Sequence, residues 1–177
     1  LCSSLKSIDL SNLDTSNIED MDYMFEDCST LKSIDLSNLD TSKVTSMNSM
    51  FSGCSSLETI DLSPLNTSLV TSMANMFSTT SSLKSLNLDS FDTRQVTNMG
   101  GMFLDSGIEK LDLSKFVTSK VQDMSNMFSY CESLTSLNIN SFDTSQVTLM
   151  SYMFMKCRKL ENLVITNFVT TNVEYMY

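Results

Sequence analysis

Residues 31–56 read LKSIDLSNLDTSKVTSMNSMFSGCSS, and this stretch decides the fold because the chain repeats it from end to end. Residues 5–30 follow the same pattern, with the sequence LKSIDLSNLDTSNIEDMDYMFEDCST. Seven units begin at Leu5, Leu31, Leu57, Leu83, Ile108, Leu134 and Leu160, at a spacing of 26 residues that shortens once to 25. A fixed period of this length is typical of solenoids, in which each unit stacks on its neighbours.

Apolar residues occupy the same positions in every unit, which indicates a continuous core. In the first unit these positions hold Leu5, Ile8, Leu10, Leu13, Ile18, Met21, Met24, Phe25 and Cys28. One unit cannot bury so many apolar side chains by itself, but stacked units can. The columns therefore predict a single solenoid segment over residues 1–177, and we expect it to be part of a longer array.

Each unit contains two different periods. Ile8 and Leu10 alternate with polar residues, which predicts a short strand with one buried face. From Ile18 to Cys28 the apolar residues recur every three to four positions, which predicts a short helix over about residues 17–27. Ser16 followed by Glu19 fits a capping box at the start of that helix. Thr15 and its equivalents in the other six units form the turn between the two elements.

A strand followed by a helix, with L-x-x-I-x-L at the strand, is the pattern of leucine-rich repeats. We therefore predict an α/β repeat fold of about seven coils. It would be a right-handed leucine-rich-repeat solenoid with a parallel sheet on its concave side and short helices on its convex side.

The repeat also resembles a known family. The motif L-x-x-[IL]-D-L-S-x-[LF]-D-T-S-x-V-x-x-M-x-x-M-F-x-x-C covers essentially the whole chain and is similar to the 26-residue repeat of BspA-like leucine-rich-repeat surface proteins. That family includes a domain of unknown function first noted in mycoplasmas. The resemblance implies a secreted or cell-surface protein with a role in adhesion or binding.

Composition excludes several classes of function. The chain has no His, so it has no His-based catalytic triad and no His-ligated metal site, and it contains no Gly-rich phosphate loop. Its net charge of −10 disfavours nucleic-acid binding, and no apolar run is long enough to span a membrane. We predict a protein that is not an enzyme, needs no cofactor, binds no nucleic acid and does not insert into a membrane.

The methionine and cysteine columns each allow more than one interpretation. The paired Met21 and Met24 columns predict core packing, with Cu(I) binding by thioethers as the alternative. The cysteines share one column, Cys2, Cys28, Cys54, Cys131 and Cys157, which predicts buried free thiols. Disulfides between coils and a metal site are the alternatives for that column.

A column of carboxylates and amides in the strand is the best candidate for function, and we call it the strand-face column. It consists of Asp9, Asp35, Asp61, Asn87, Asp112 and Asn138. Like charges on neighbouring strands repel, so hydrogen bonds, nearby lysines, a cationic partner or Ca²⁺ at Asp9, Asp35 and Asp61 must offset them. A second column, which includes Asp14, Asp40, Asn66, Asp92 and Asp143, is predicted to serve the turn instead.

The sequence thus predicts a recognition or adhesion module at the cell surface or outside the cell. It would bind a protein or glycan on host or neighbouring cells through the concave polar face. Around the strand-face column, that face includes Ser7, Ser11, Ser33, Ser37, Thr59, Ser63, Asp89 and Asn140. The alternative is a structural spacer, or a building block of a filament, formed by end-to-end self-association of the solenoid.

Overall fold

A computed structural model describes residues 2–177, and Leu1 lies outside the described residues. The regular secondary structure consists of two parallel strands, β1 (Lys110–Asp112) and β2 (Ser136–Asn138), paired with Leu111 opposite Leu137. Both strands lie where the L-x-x-I-x-L pattern predicts them, in the fifth and sixth units. The pattern predicted a strand in every unit and a sheet along the whole stack, but within residues 2–177 only these two units have one. Ser85 of the fourth unit forms an isolated bridge to Lys110. We call residues 7–9 and their equivalents in the other units the strand segment.

A second line of parallel bridges joins all seven units. It runs through one residue of each unit, in the order Asp20, Ser46, Ser72, Asn98, Asp123, Leu149 and Tyr175. The described chain is therefore a stack of coils held in one register, as the repeat predicts. This line of bridges lies beside the Met-x-x-Met-Phe motif and not at the strand segment.

The prediction of short helices, at residues 17–27 and at the equivalent positions, was wrong. Residues 2–177 contain no helix, and the Met-x-x-Met-Phe region is a run of tight turns. In the third unit the amides of Met73, Asn75, Phe77 and Thr79 donate to carbonyls of the next coil, at 2.7–3.0 Å. A helix would direct these donors four residues back along its own chain. We call residues 21–28 and their equivalents the turn segment.

Two residues in each turn segment have a left-handed backbone, which prevents a helix there. In the first unit they are Tyr23, with φ of 61°, and Asp27, with φ of 55°. Left-handed φ costs a non-glycine residue about 1–2 kcal/mol. The turns still bring apolar side chains inward at intervals of three to four residues, since hydrogen bonds close the turns from Met21 to Met24 and from Phe25 to Cys28. This spacing imitates the apolar stripe of a helix.

The threonine column is buried and bonds each coil to the next. Thr67 is 1% exposed, and its Oγ1 both donates to the carbonyl of Asp92, at 3.1 Å, and accepts from the amide of the same residue, at 2.8 Å. The same pair of bonds recurs at Thr15, Thr41, Thr93, Thr118 and Thr144. Only a side chain that is both donor and acceptor can satisfy both backbone groups.

The core consists of the predicted apolar columns. Six phenylalanines, Phe25, Phe51, Phe77, Phe103, Phe128 and Phe154, stack along the molecule with ring centroids 5.6–6.0 Å apart. The methionines on either side of this stack, such as Met73 and Met76, are fully buried. The interpretation of the methionines as core is confirmed, since a thioether fills irregular space beside the stacked rings.

All five cysteines are free thiols, and Cys28, Cys54 and Cys131 are buried as predicted. The prediction was wrong for the end members of the column, since Cys2 is exposed and Cys157 is half-buried. The thiol of Cys54 donates to the carbonyl of Phe25 in the preceding coil, and Cys131 donates in the same way to Phe103. Burial raises the pKa of Cys54 to about 12, so its thiol stays protonated at neutral pH. Thr80, which replaces cysteine in the third unit, donates to the carbonyl of Phe77 instead.

Candidate functional site

The strand-face column lies at the surface, with one residue in each of six successive coils. Asp9, Asp35, Asp61, Asn87 and Asp112 are exposed, and Asn138 is half-buried. Exposed polar side chains flank it, at Ser7, Ser11, Ser33, Ser37, Thr59, Ser63, Asp89 and Asn140. The pairing of β1 with β2 places Asp112 directly beside Asn138.

Each member of this column is fixed by a bond to its own chain. The Oδ1 atom of Asp61 accepts the amide of Ser63 at 2.9 Å, and the other five members make the same bond at 2.9–3.3 Å. Aspartate and asparagine commonly bond a backbone amide two residues on in this way. The sequence indicated this turn chemistry only for the second aspartate column. The strand-face column shares it.

These bonds keep the strand-face carboxylates ionised. The amide of Ser63 lowers the pKa of Asp61, and this effect exceeds the opposing effect of the neighbouring Asp35 charge. The pKa of Asp9 and that of Asp35 are lowered by the amides of Ser11 and Ser37. At Asp9, Asp35 and Asp61 the hydrogen bonds of the following serine therefore favour the ionised carboxylate. The pKa of Asp112 is lowered by the hydrogen bonds of Ser114 and, in addition, by the charge of Lys115.

Two of the nearby lysines bond elsewhere. Lys32 Nζ lies 2.8 Å from the carboxylate of Glu58, and Lys84 Nζ donates to the carbonyl of Ser81. Lys32 and Lys84 therefore do not bond the strand-face column, whereas the charge of Lys115 acts on Asp112.

A recess of about 330 Å³ interrupts this column between the third and fourth coils. Its lining brings four predicted residues together, Asp61, Ser63, Asn87 and Asp89, and adds Ser90 and an apolar wall of Ile60 and Leu62. Within residues 2–177, no backbone hydrogen bond joins residues 58–62 to residues 84–88. The recess lies where the strand segments of two coils are not hydrogen-bonded to each other.

The remaining predicted residues form a line and not a cluster. Throughout residues 2–177, no three Cys, Asp or Glu side chains lie close enough together to hold a metal ion. The strand-face column therefore presents one polar side chain in each coil, and the recess at Asp61 is where several of the predicted residues line a common space. Ca²⁺ at Asp9, Asp35 and Asp61 was an alternative to the prediction of no metal, and nothing in these contacts favours it.

The second aspartate column has the predicted role in the turn. Asp14, Asp40, Asn66, Asp92 and Asp143 each accept the amide of the residue two positions on, at 2.9–3.1 Å. Arg94 also bonds the carboxylate of Asp92, and this contact lowers the pKa of Asp92. This column matches the strand-face column in its backbone bonds, which makes it a natural control.

None of the described residues forms a helix with the length and apolar character needed to cross a membrane. No curated protein matches the chain. Among solved structures, the chain is similar to a leucine-rich repeat protein of T. pallidum, at 19% identity and a TM-score of 0.54. That match covers 79% of this chain and 59% of the other. At this identity it shows the fold alone, a leucine-rich-repeat solenoid.

A leucine-rich repeat protein from Bacteroides ovatus is similar at 18% identity and a TM-score of 0.48, over 87% of this chain and 41% of the other. The chain thus spans 59% and 41% of the lengths of these two proteins. One family model matches twice, over residues 2–108 and 105–177, and so confirms the resemblance to the mycoplasma domain. The chain belongs to the family described as Mycoplasma protein of unknown function, DUF285.

Proposed function

We propose that this solenoid is a non-enzymatic recognition module of the cell surface or the extracellular space. It binds a protein or glycan partner through the strand-face column. The observation that carries the proposal is that this exposed column is held in one orientation over six coils by bonds to its own backbone. The likeness to surface proteins with the same repeat supports the location.

The geometry suits a partner that makes many weak contacts. Asp61 is exposed and its Oδ1 accepts the amide of Ser63, so its second carboxylate oxygen remains available to a donor. Because the side chain is already ordered, binding costs little further conformational entropy. Repetition along the stack then multiplies contacts that are individually weak.

The recess at Asp61 is the strongest single contact point on this face. It offers carboxylate, amide and hydroxyl groups, against the apolar wall formed by Ile60 and Leu62. A basic side chain of a protein partner, or the hydroxyl groups of a glycan, would find acceptors there. Residues 1–92 carry a charge of −9 and residues 93–177 a charge of −1, so a cationic partner is steered toward this half of the stack.

Two matched triple variants test the proposal. Asp35→Asn, Asp61→Asn and Asp112→Asn remove three charges from the strand-face column, and asparagine keeps the turn because Asn87 makes the same bond. Asp14→Asn, Asp40→Asn and Asp143→Asn remove three charges from the second column, where Asn66 shows that asparagine fits. Binding would be measured on immobilised extracellular matrix proteins and on a glycan array.

We expect the first triple variant to lose about tenfold or more in affinity, since a hydrogen bond to a charged group contributes about 1.5–3 kcal/mol. The control should bind within about twofold of the wild type. Two results would contradict the proposal. If both variants bind as tightly as the wild type, the strand-face column is not the contact surface. If both lose the same affinity, net charge alone explains the loss.

A structural role is the second candidate, and one observation favours it. Apolar side chains are exposed in the first and last coils, among them Leu13 at 44% and Ile165 at 43%. A further coil of the same chain, or a second copy, would cover such a coil face. Filaments in electron micrographs of the purified segment at modest concentration would support assembly, and a monodisperse monomer at the same concentration would oppose it.

A further inference from the structure

A ladder of side chains on the turn segments stops abruptly in the middle of the molecule. In the first coil, Asp22 Oδ1 accepts the hydroxyl of Ser46 and the amide of Asn48, both at 2.6 Å. In the second coil, Asn48 Oδ1 accepts the hydroxyl of Ser72 and the amide of Ala74. Each coil thus satisfies two polar groups of the next coil.

The ladder ends because the next two residues of the column have no acceptor. Ala74 and Gly100 occupy the positions equivalent to Asp22 and Asn48. The fourth and fifth coils therefore bond within themselves. Asn98 Oδ1 accepts the amide of Gly100 at 2.8 Å, and Asp123 Oδ1 accepts the amide and the hydroxyl of Ser125.

A cavity of about 240 Å³ opens where the ladder stops. Asn75, Asn98, Asp123 and Asn126 supply its polar wall, and Leu104 supplies an apolar edge. All four polar side chains are half-buried. This is below the lower limit of about 300 Å³ for drug-sized ligands, so the cavity suits a small polar group.

Two adjacent glycines keep this cavity open. Gly101 has φ of 62°, but Asn75 and Asn126 adopt the same backbone with side chains, at φ of 56° and 57°. The backbone therefore does not require glycine there. What glycine provides is space, because a Cβ at residue 101 would overlap Asn75 Oδ1, and one at residue 100 would lie 3.0 Å from Asp123 Oδ2.

The wall of the cavity has free hydrogen-bonding capacity. Within residues 2–177, no hydrogen bond involves the side-chain amides of Asn75 and Asn126, the Nδ2 of Asn98 or the Oδ2 of Asp123. Three carboxamides supply donors and acceptors together, and the one carboxylate supplies acceptors. A hydroxyl group is likewise both donor and acceptor, whereas a cation brings no acceptor to meet the amide donors.

We propose that this cavity binds one neutral sugar residue of a glycan. Vicinal hydroxyls would pair with the carboxamides and with Asp123, and a C–H face of the ring would lie against Leu104. The cavity is formed by turn segments and by two residues of the line of bridges, Asn98 and Asp123. It shares no residue with the strand-face column, so this proposal does not rest on the proposed function. It adds a second contact point, of different chemistry, to the same stack.

Two variants are matched to the repeat. Gly100→Asn restores the residue that Asn48 supplies two coils earlier, and its side chain would rebuild the ladder to Ser125 and fill the cavity. Asn75→Ser with Asn126→Ser removes two carboxamides, and Ser49 shows that serine accepts this backbone, at φ of 53°. Asp143→Asn, in the second aspartate column, is the control that should leave sugar binding unchanged, because the carboxylate of Asp143 bonds within its own turn. Asp61→Asn tests the strand-face recess as the other place where a sugar could bind.

The measurement is saturation-transfer NMR of the full 177-residue chain with glucose, galactose, mannose and N-acetylglucosamine, followed by a neutral oligosaccharide array. We expect transfer from the wild-type protein to at least one sugar, with about tenfold weaker binding in either cavity variant, the loss that one or two hydrogen bonds produce. Unchanged melting temperatures would establish that the variants fold. If Gly100→Asn fails to fold, the double serine variant decides the test.

Two results would overturn the proposal. One is the absence of transfer to any of the four sugars and of any signal on the array. The other is equal binding by the wild type and by a folded cavity variant. Loss of sugar binding in Asp61→Asn alone would also overturn it, and would assign the sugar to the strand-face recess.

Discussion

The strand segment and the turn segment of each coil differ in how they join the stack. Between the third and fourth coils, the turn segment contributes four amide bonds, from Met73, Asn75, Phe77 and Thr79. Across the same pair of coils, no backbone bond joins residues 58–62 to residues 84–88. Between these two coils the strand segment is thus the looser part, and the recess at Asp61 lies at this gap, whereas β1 and β2 pair regularly in the fifth and sixth coils.

This difference separates the part of the repeat that sets the register from the proposed recognition surface. The turn segments hold the stacked phenylalanines, and the continuous line of bridges runs through the residue just before each turn segment, so this part of the repeat sets the register of the coils. The strand segments can leave bonds unmade and present polar groups to solvent without loss of that register. The proposed recognition surface could therefore vary while the turn segments stay constant, since each coil contacts only its neighbours.

The largest effect is expected from the phenylalanine stack. Phe77 is fully buried between Phe51 and Phe103, so Phe77→Ala removes contacts on both sides and leaves a cavity. We expect a loss of about 3–5 kcal/mol in the free energy of unfolding, measured by urea denaturation. Val117→Ala, at a site that is 42% exposed, should change it by less than about 0.5 kcal/mol. Similar losses at the two sites would mean that the stack does not carry the core.

The threonine column should give the next effect. Thr67→Val keeps the shape of the side chain but leaves the amide and the carbonyl of Asp92 without their partner. We expect a loss of about 1–3 kcal/mol, the cost of buried polar groups that are left unpaired. Thr71→Val is the control, because the bond of Thr71 to the carbonyl of Thr45 is exposed. A cost at Thr67 no larger than at Thr71 would contradict the role given to this column.

A single buried hydroxyl should give a gain in stability. Ser129 Oγ is buried without a hydrogen-bond partner, in a position that Leu104 and Met155 occupy in the neighbouring units. Ser129→Ala should raise the free energy of unfolding by about 1 kcal/mol, since it removes an unpaired polar group. Ser125→Ala is the comparison, because its hydroxyl bonds Asp123 and its loss should lower stability. Destabilisation by Ser129→Ala would show that the hydroxyl has a partner.

The smallest effect concerns pH. The pKa values of Asp9, Asp35 and Asp61 are lowered by backbone amides, so the unfolded chain binds protons that the folded chain does not. Their contribution is complete above the ordinary aspartate pKa of about 3.9 and is lost as the pH falls through the lower folded values. Melting temperatures should therefore fall below about pH 4, with a shallower slope in Asp35→Asn with Asp61→Asn. If the melting temperature of that variant depends on pH as steeply as that of the wild type, these hydrogen bonds do not lower the pKa values of Asp35 and Asp61 in the folded state.

The sequence predicted the stack of coils well because the apolar columns reflect which side chains are buried, and burial alone defines the stack. The repeat boundaries, the methionine and phenylalanine core, the buried cysteines and the strands at β1 and β2 follow from apolar positions that every unit shares. The threonine column was assigned to a turn within the unit. Its bonds to the next coil could not be read from one unit, because they join residues 24–25 positions apart.

The helix was predicted wrongly because tight turns and a helix share the spacing of their inward side chains. A signal was present in the outward residues, since Ser49, Asn75, Gly101 and Asn126 share one column. Asparagine and glycine favour the left-handed backbone, but Tyr23 and Tyr152 in the same column conceal that preference. The cavity at Gly100 and Gly101 was missed for another reason. It arises from a break in a ladder, and the ladder itself is visible only in three dimensions.

Backbone NMR chemical shifts of the turn segments test the central claim most directly. The structure predicts left-handed values at Ser49, Asn75, Thr79 and Asn126, separated by residues in the right-handed or extended regions. It also predicts that the amides of Asn75 and Phe77 exchange slowly, because they bond the next coil. The opposite result would be continuous right-handed helical shifts over residues 70–79 and over the equivalent residues of the other units. It would contradict the assignment of tight turns there and would support the helix that the sequence pattern indicated.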